Sequence, residues 1–335
     1  MSDLKQQGES VLITGGAGYI GSHLAMLLQK QGYRVTIFDN LSTGNSSLVS
    51  RSNLIIGDIL DTIALVDTMK KHQAKTVIHL AAKSSVPESF SNPDEYFETN
   101  IEGTKCVLEA CAQAKVEHFL FSSTAAVYGN ATHGLVSEEA PLMPISPYGQ
   151  SKLKAEQLVE TLCAQYAIKQ ITFRYFNVIG AHPEGLLGQY NSNSVHLLQN
   201  CLNSIHKKRP VEVYGNDYDT IDGSAERDFI HVQDLASLHL NAMHYLENGG
   251  DSLLLNAGYG SSHSVLEFIK VFQEVTGHFI QTNFAPQRNG DPSSLIANVS
   301  RLNQKLEWSP EFNSLEQMIK SSWLWENSST KKAII

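Results

Sequence analysis

Apolar residues are arranged along this chain in two alternating patterns. Short unbroken runs appear at Val11–Thr14, Arg34–Phe38, Leu54–Ile56, Thr76–Leu80, Phe119–Ser122 and Ile171–Arg174. Runs this short, bounded by turn residues, read as strands buried on both faces. Between them, Ile20–Gln31, Ile63–Lys71, Asn100–Ala114 and Pro147–Tyr166 carry apolar residues at helical spacing. Gly32 stands where a helix C-terminal glycine belongs, and Ser146-Pro147 make a good helix start. The alternation predicts an α/β fold, a Rossmann doubly wound parallel sheet with ligands at the carboxyl ends of its strands. Past Gly180 the rhythm breaks. Gly185–Ser194 is polar and glycine-bearing, and Val211–Tyr214 and Leu253–Asn256 are strand-like runs set among helices. The expected division is a Rossmann domain over 9–180 and a smaller mixed α/β substrate lobe over 181–327. Some helices of that lobe are expected to pack back on the first domain. A polar, frayed tail over 328–335 follows.

Composition narrows the picture. The chain has 335 residues, 42% hydrophobic and 18% charged, with a net charge of -9. That is a folded protein long enough for two domains, and the negative balance argues against a nucleic-acid surface. Cys106, Cys111, Cys163 and Cys201 have no metal-type spacing and read as free thiols in a reducing compartment. Met1–Ser10 is polar and carries no apolar signal core, and no run reaches the roughly 20 apolar residues of a membrane span. The expectation is a cytoplasmic protein with no metal and no nucleic-acid or membrane partner.

Candidate chemistry begins with the first glycines. Gly15-Gly16-Ala17-Gly18-Tyr19-Ile20-Gly21 follows the first strand and opens the first helix. Glycines allow close approach to a pyrophosphate, and the helix N-terminus offers free N–H groups and positive partial charge. Such a loop is a weak signal alone. It gains weight from Asp39 at the end of the second strand, whose carboxylate suits ribose hydroxyls and repels a 2′-phosphate, favouring NAD over NADP. The bland alternative makes Asp39 a turn residue. Asp58, before Ile59, suits either an adenine amino group or a helix cap. Ala81-Ala82-Lys83 lies at the end of the fourth strand, where small residues let backbone approach a cofactor.

Tyr148 and Lys152 lie on one face of the helix opened by Ser146-Pro147. A lysine ammonium and a nicotinamide charge both favour the phenolate, so this tyrosine can act as a base. Ser122-Ser123-Thr124 ends the fifth strand, with Thr124 nearest the site and able to donate to the substrate oxygen. All three hydroxyls can equally serve to cap the strand end.

These residues resemble the extended short-chain dehydrogenase/reductase family, and within it the branch that epimerises UDP-hexoses at carbon 4. The likeness runs from Val11 to about Trp325. It is carried by Thr14–His23, Asp39–Leu41, Phe121–Gly129, Ser146–Gly149, Arg174–Asn177, Gly180–Pro183, Tyr214–Tyr218 and Arg227–Val232. The resemblance implies UDP-galactose and UDP-glucose as substrates, a transient 4-keto sugar, and NAD held through the cycle. It implies Tyr148 as base, Lys152 as its activator and Thr124 as the third catalytic hydroxyl. Gly15, Gly18, Tyr19, Ile20, Gly21, Asp39, Asn40, Asp58, Ile59, Leu80, Ala81, Ala82, Asn100, Ser122 and Tyr175 would join Tyr148 and Lys152 around NAD. Ser84, Phe176, Asn177, His196, Leu197, Tyr214, Arg227, Arg288, Asp291 and Leu295 would join Thr124 and Tyr148 around the UDP-sugar. Of these, Asn177 is implied at the phosphates, Tyr214 on the uracil, Arg227 and Arg288 on the diphosphate, and Asp291 on the ribose. Asn193–Leu197 aligns with a uracil-binding stretch whose register is open by one residue.

Three positions depart from that pattern. Leu295 stands where tyrosine is frequent, Val178 where proline is common, and Ser84 where some members carry lysine. Sugar dehydratases of the same fold place acidic residues after the strand-end hydroxyl, and here Ala125-Ala126 follow Thr124. A sugar reductase would favour NADP, against Asp39. A UDP-N-acetylhexosamine or UDP-hexuronate 4-epimerase and a non-catalytic NAD-binding module remain as alternatives. The resemblance also implies a homodimer that pairs Asn100–Ala114 and Pro147–Tyr166 of each subunit in a four-helix bundle.

Overall fold

The computed structural model describes residues 8–129, 134–190, 196–288 and 291–334. Its centre is a seven-stranded, wholly parallel sheet. The strands are β1 (Ser10–Thr14), β2 (Arg34–Asp39), β3 (Asn53–Ile56), β4 (Thr76–His79), β5 (His118–Thr124), β6 (Lys169–Tyr175) and β7 (Leu253–Ala257). They lie in the order β7-β6-β5-β4-β1-β2-β3. The order reverses between β1 and β4, which opens the crevice where ligands bind in sheets of this kind.

Side chains alternate across the strands and are buried on both sides. Val11 and Ile13 pack with Leu24 and Leu28 of the Tyr19–Lys30 helix and with Leu235 and Met243 of the Val232–Glu247 helix. Leu12, Val77, Phe119 and Phe121 face the other way, onto Leu65, Val107, Leu108, Ala155 and Val159. These belong to the helices Thr62–His72, Gly103–Ala114 and Pro147–Gln165. The expected strands and long helices are present with shifts of a residue or two at their ends. Gly32 has φ +91°, and Tyr33 N–H donates to Leu28 O, so the first helix ends in the αL-type stop read from the sequence. Ser146 Oγ accepts from Gly149 N–H at 3.1 Å ahead of Pro147.

One expected helix is built differently. Asn100–Ala114 is not uniform, because Glu98–Glu102 is a single π turn and the α-helix begins only at Gly103. Gly103 lets this turn press on Ile59, whose Cδ1 would lie 2.5 Å from an added Cβ. Two short helices, Val86–Ser91 and Pro93–Phe97, precede it and were not legible as periodic stretches.

The remaining chain builds a second layer system. Val211–Tyr214 pairs with Thr282–Ala285, and Asn177–Ile179 with Phe229–His231. Glu226–Arg227, His263–Ser264, Ser294–Ala297 and Gly134–Val136 form a four-stranded sheet. Its core gathers Leu198, Leu202, Val213, Phe229, Phe268, Phe272, Met318 and Ile319. The boundary at 180 is crossed in both directions. Gly134–Val136 pairs with Leu295–Ala297 in the second sheet, while β7 and the Val232–Glu247 helix return to the first. The reason is coverage: both faces of the large sheet need apolar partners, and the later chain supplies them. The tail also differs from the frayed expectation. Ser329–Ile334 is helical, and Lys331, 4% exposed, pairs with Glu326.

Candidate active site

The first turn after β1 is shaped by close backbone contacts. Gly15 has φ +71°, and a Cβ there would sit 2.5 Å from Ala81 N. A Cβ on Gly21 would sit 2.6 Å from Gly15 O. Around a Cβ on Gly18, by contrast, the one close atom is Gly15 O at 3.2 Å. The space above Gly18 is therefore open where the Tyr19–Lys30 helix begins, and that first turn has no side-chain cap and no acidic residue. Free N–H groups and an uncovered glycine form a cradle that an added methyl would fill, and a pyrophosphate fits it.

Asp39 ends β2 beside this turn and is 8% exposed. Its Oδ2 accepts from Ala17 N–H at 2.9 Å and its Oδ1 from Leu41 N–H at 2.8 Å. These bonds orient the carboxylate and leave further lone pairs for hydroxyl donors. Asp58 accepts from Asn40 Nδ2 at 2.9 Å and from Leu60 N–H, while the following helix is capped by Asp61. Ile59 lies in the core, and Ile20, Leu80 and Ala81 are partly buried against it. Tyr19 turns its hydroxyl to Gly180 O, across to the second half of the chain.

The strand ends of β4 and β5 meet the catalytic helix. Thr124 ends β5 and shares a hydrogen bond with Tyr148. Burial pushes the Tyr148 phenol up, and the Thr124 bond pulls it back. Lys152 lies one turn on, 4% exposed, and its Nζ donates to Ser122 O at 2.7 Å. Burial lowers the Lys152 ammonium to about 7, with the Glu156 charge resisting. His79 ends β4 and is pushed to about 3 by burial and by Lys152, so it is neutral. Thr104 Oγ1 donates to Asn100 O and therefore accepts from His79 Nε2, which leaves His79 Nδ1 to accept from Thr14. A neutral histidine beside the lysine adds no competing positive charge.

Several expected site residues are committed to other partners. Asn100 exchanges two bonds with the Lys83 backbone, at 2.9 and 3.0 Å, and donates to Ser151 Oγ. It ties the loop holding Ala82 and Ser84 to the catalytic helix. Ser122 Oγ donates to His79 O. Tyr175 donates to His239 Nε2 at 2.7 Å, because His239 Nδ1 already donates to Leu235 O. Asn177 Nδ2 donates to Asp228 O. Ser84 is exposed, and Phe176 is buried in a cluster with Ala125, Val127 and the partly buried Leu295.

On the second half, Arg227 pairs with Asp291 and faces Leu295 across the strand register. The Arg288 guanidinium stacks 3.7 Å above the Tyr214 ring. His196 immediately precedes the Leu197–Lys207 helix, and burial lowers its pKa. Asn193, Ser194 and Val195 lie outside the described residues.

Residue patterning along the chain assigns no role to Asp228, Glu156 or the Arg174 side chain. Asp228 is fully buried and accepts from Tyr259, Gly260 and Ala297 N–H, drawing three segments together behind Asn177. Glu156 and Arg174 form a buried bidentate pair at 3.0 and 2.8 Å. The available signal was periodicity: Glu156 continues the Tyr148, Lys152 spacing by one more turn. Among the described residues, no cluster of His, Cys, Asp or Glu is placed to hold a metal. No helix among them is long and apolar enough to cross a membrane.

The chain resembles known proteins in sequence and in fold. The model of the NAD dependent epimerase/dehydratase family matches residues 11–258. The UDP-glucose 4-epimerase of Azospirillum brasilense is 39% identical over 98% of this chain and 95% of its own. That of Halalkalibacterium halodurans is 41% identical over 94% and 95%. The crystal structure of the UDP-glucose-4-epimerase from Stenotrophomonas maltophila, with bound NAD and formylated UDP-arabinopyranose, superposes with a TM-score of 0.91. It is 38% identical and covers 95% of this chain and 98% of that one.

Proposed function

The chain belongs to the NAD dependent epimerase/dehydratase family, and on that premise we propose that it interconverts UDP-galactose and UDP-glucose by inverting carbon 4. The reaction passes through a transient 4-keto sugar that turns in the pocket before its other face is reduced. The enzyme is NAD-dependent. When bound, NAD supplies a reversible acceptor for the hydrogen at carbon 4.

The chain's own residues do the rest. Gly15, Gly18 and Gly21 admit the pyrophosphate to the helix N-terminus, and Asp39 accepts from ribose hydroxyls. Tyr148 takes the 4-hydroxyl proton, and Thr124 donates to the same oxygen. Lys152, in its protonated form, keeps the phenolate accessible. Arg227 and Arg288 offer guanidinium forks to the diphosphate, joined by Asn177. Tyr214 offers a face to the uracil, Asp291 meets the ribose, and Phe176 and Leu295 bound the sugar. Arg288 must leave or share the Tyr214 face for this to happen.

The observation that carries the reading is the placement of Tyr148 beside Thr124, one helical turn from buried Lys152 and at the same strand ends as the glycine loop. A non-catalytic NAD-binding module has no use for that constellation. The test is turnover of UDP-galactose, UDP-N-acetylgalactosamine and UDP-galacturonate by purified protein. The expected outcome is conversion of UDP-galactose to UDP-glucose faster than either alternative. Protein that carries NAD but turns over none of the three would establish the binding-module reading instead.

The enzyme is further proposed to be a cytoplasmic homodimer. The helices Gly103–Ala114 and Pro147–Gln165 lie side by side on one sheet face. Cys106, Ala114 and Leu162 there, and Tyr166 just beyond, stay only partly buried, an apolar margin for a four-helix contact with a second copy. A monomeric mass in light scattering at micromolar concentration would exclude it.

A further inference from the structure

Three consecutive residues at the end of β5 are bonded to three positions on one helix. Ser122 O accepts from Lys152, Ser123 Oγ donates to Glu156 Oε1, and Thr124 bonds Tyr148. The helix positions are four residues apart, so Tyr148, Lys152 and Glu156 form one stripe facing the strand end. The middle contact differs from the others in being anchored from behind. Arg174 is the register partner of Ser123 on β6, and it grips both oxygens of Glu156. Arg174 is itself fixed by Tyr128 OH at 3.0 Å and Glu138 O at 3.1 Å, and Tyr128 by Asn256 Oδ1 at 2.6 Å. Apart from Thr124 and Tyr148, which are half-buried, these groups are buried.

We propose that Glu156 is a positioning residue for the carbon-4 reaction: through Ser123 and Arg174 it sets the register of the Tyr148 and Lys152 face against the β5 end. The argument is geometric first. A helix can slide or roll on a sheet while keeping its apolar contacts, but it cannot do so while a bidentate guanidinium–carboxylate pair is maintained. The pair also ties the catalytic helix to β6, beyond the strand that bears Thr124. The reacting hydroxyls of Tyr148 and Thr124 are then held by two strands rather than by one side-chain bond.

The charge argument follows from position. Lys152 is buried and meets Ser122 O and the Phe121 ring, 4.8 Å away. The titratable groups around it are Tyr148 and Glu156 on its own helix and His79 on β4. Tyr175 on β6 feels Tyr148, and Arg174 and Glu138 face Glu156 and its partners. Burial disfavours the ammonium and Glu156 favours it, while neutral His79 adds no charge of its own. Removing the Glu156 charge therefore lowers the pH at which Lys152 loses its proton, and with it the phenolate of Tyr148.

This inference rests on the epimerase reading, and the experiment separates the two. Unmodified enzyme, Glu156→Gln and Ser123→Ala are purified with their NAD, and NAD released on denaturation, kcat, KM and the pH profile are measured with UDP-galactose. Glu156→Gln is expected to keep NAD and KM while kcat falls about tenfold to hundredfold, the size of a lost charged hydrogen bond. Its alkaline limb should move to lower pH. Ser123→Ala keeps the charge and the Arg174 pair, so its kcat should fall with the pH profile in place. Should Glu156→Gln fail to fold, Ser123→Ala alone decides, and an unchanged kcat in it overturns the proposal. A Glu156→Gln variant with unmodified kcat and profile, or with kcat lost only in proportion to NAD, also overturns it. Unmodified enzyme that leaves every UDP-hexose untouched would overturn the epimerase reading instead.

Discussion

A tyrosine with its ordinary pKa near 10 takes up no proton at neutral pH unless its surroundings hold the phenolate. Around Tyr148, burial opposes ionisation, the Thr124 bond assists it, and Lys152 supplies the nearby cation. Tyr148→Phe removes the hydroxyl and little else. Turnover of UDP-galactose is expected to fall about a hundredfold to ten-thousandfold, with NAD still co-purifying and UDP-sugar binding intact by calorimetry. Near-normal turnover would remove Tyr148 from the mechanism. Leu295 acts on range rather than rate. It packs beside Ala125 and Phe176, next to Thr124, and its branched apolar side chain offers an acetamido group no hydrogen bond. Overlap of that kind costs about 1–3 kcal/mol, so UDP-galactose should be preferred to UDP-N-acetylgalactosamine and Leu295→Ser should narrow the gap. Equal kcat/KM for both sugars in the unmodified enzyme would mean that Leu295 is no gate. Tyr148, Lys152 and Thr124 were legible because helix spacing and a strand end place them without knowledge of the rest. The partners of Asn100, Ser122 and Tyr175 were not legible, since they lie on segments far away in sequence: Lys83 and Ser151, His79, and His239.

At the scale of elements, the glycine loop divides into positions that hold the fold and one that leaves room. Gly21 has backbone 2.6 Å from an added Cβ, whereas Gly18 meets only Gly15 O at 3.2 Å. Gly21→Ala must push the helix off the loop, so it should cost about 1–3 kcal/mol of stability and release NAD as well. Gly18→Ala fits the backbone, which has φ -79°, so its thermal midpoint without added NAD should stay near that of unmodified protein. Its NAD content should still drop, because the methyl enters the open space. Equal losses of stability in the two variants would contradict this division. Elements with long apolar runs were read correctly from the chain because burial on both faces leaves little choice of partner. The π turn at Glu98–Glu102 and the short helices before it were invisible. They depend on Gly103 meeting Ile59 and on Tyr96 OH bonding Ser85, contacts that no local period encodes.

For the whole molecule, the sequence division at 180 included helices packing back on the first domain but no strands crossing it, because no local signal tells which sheet a late strand joins. Tyr175–His239 stitches the halves together, and buried histidines in both halves govern how the fold answers pH. Burial lowers His23 and His239 to about 4 and His79 and His231 to about 3. Unfolded, each titrates near 6.5. Below that pH the unfolded chain binds protons that the folded one refuses, so stability is lost as pH falls; above it neither state binds and the contribution is flat. Asp228 works the other way: burial raises it from 3.8 to about 6, so the folded state binds its proton first and gains stability as pH falls through 6. Between pH 7 and 5 each histidine removes on the order of 1–2 kcal/mol, and Asp228 returns about 1. The four histidines win, and the thermal midpoint of the NAD-loaded enzyme should drop steeply over that interval. Calorimetry at pH ~5.5 in buffers of different ionisation enthalpy should count about three protons taken up, net, on unfolding. A midpoint that stays flat to pH ~5, or unfolding without net proton uptake, would mean that these histidines are not held neutral in the fold.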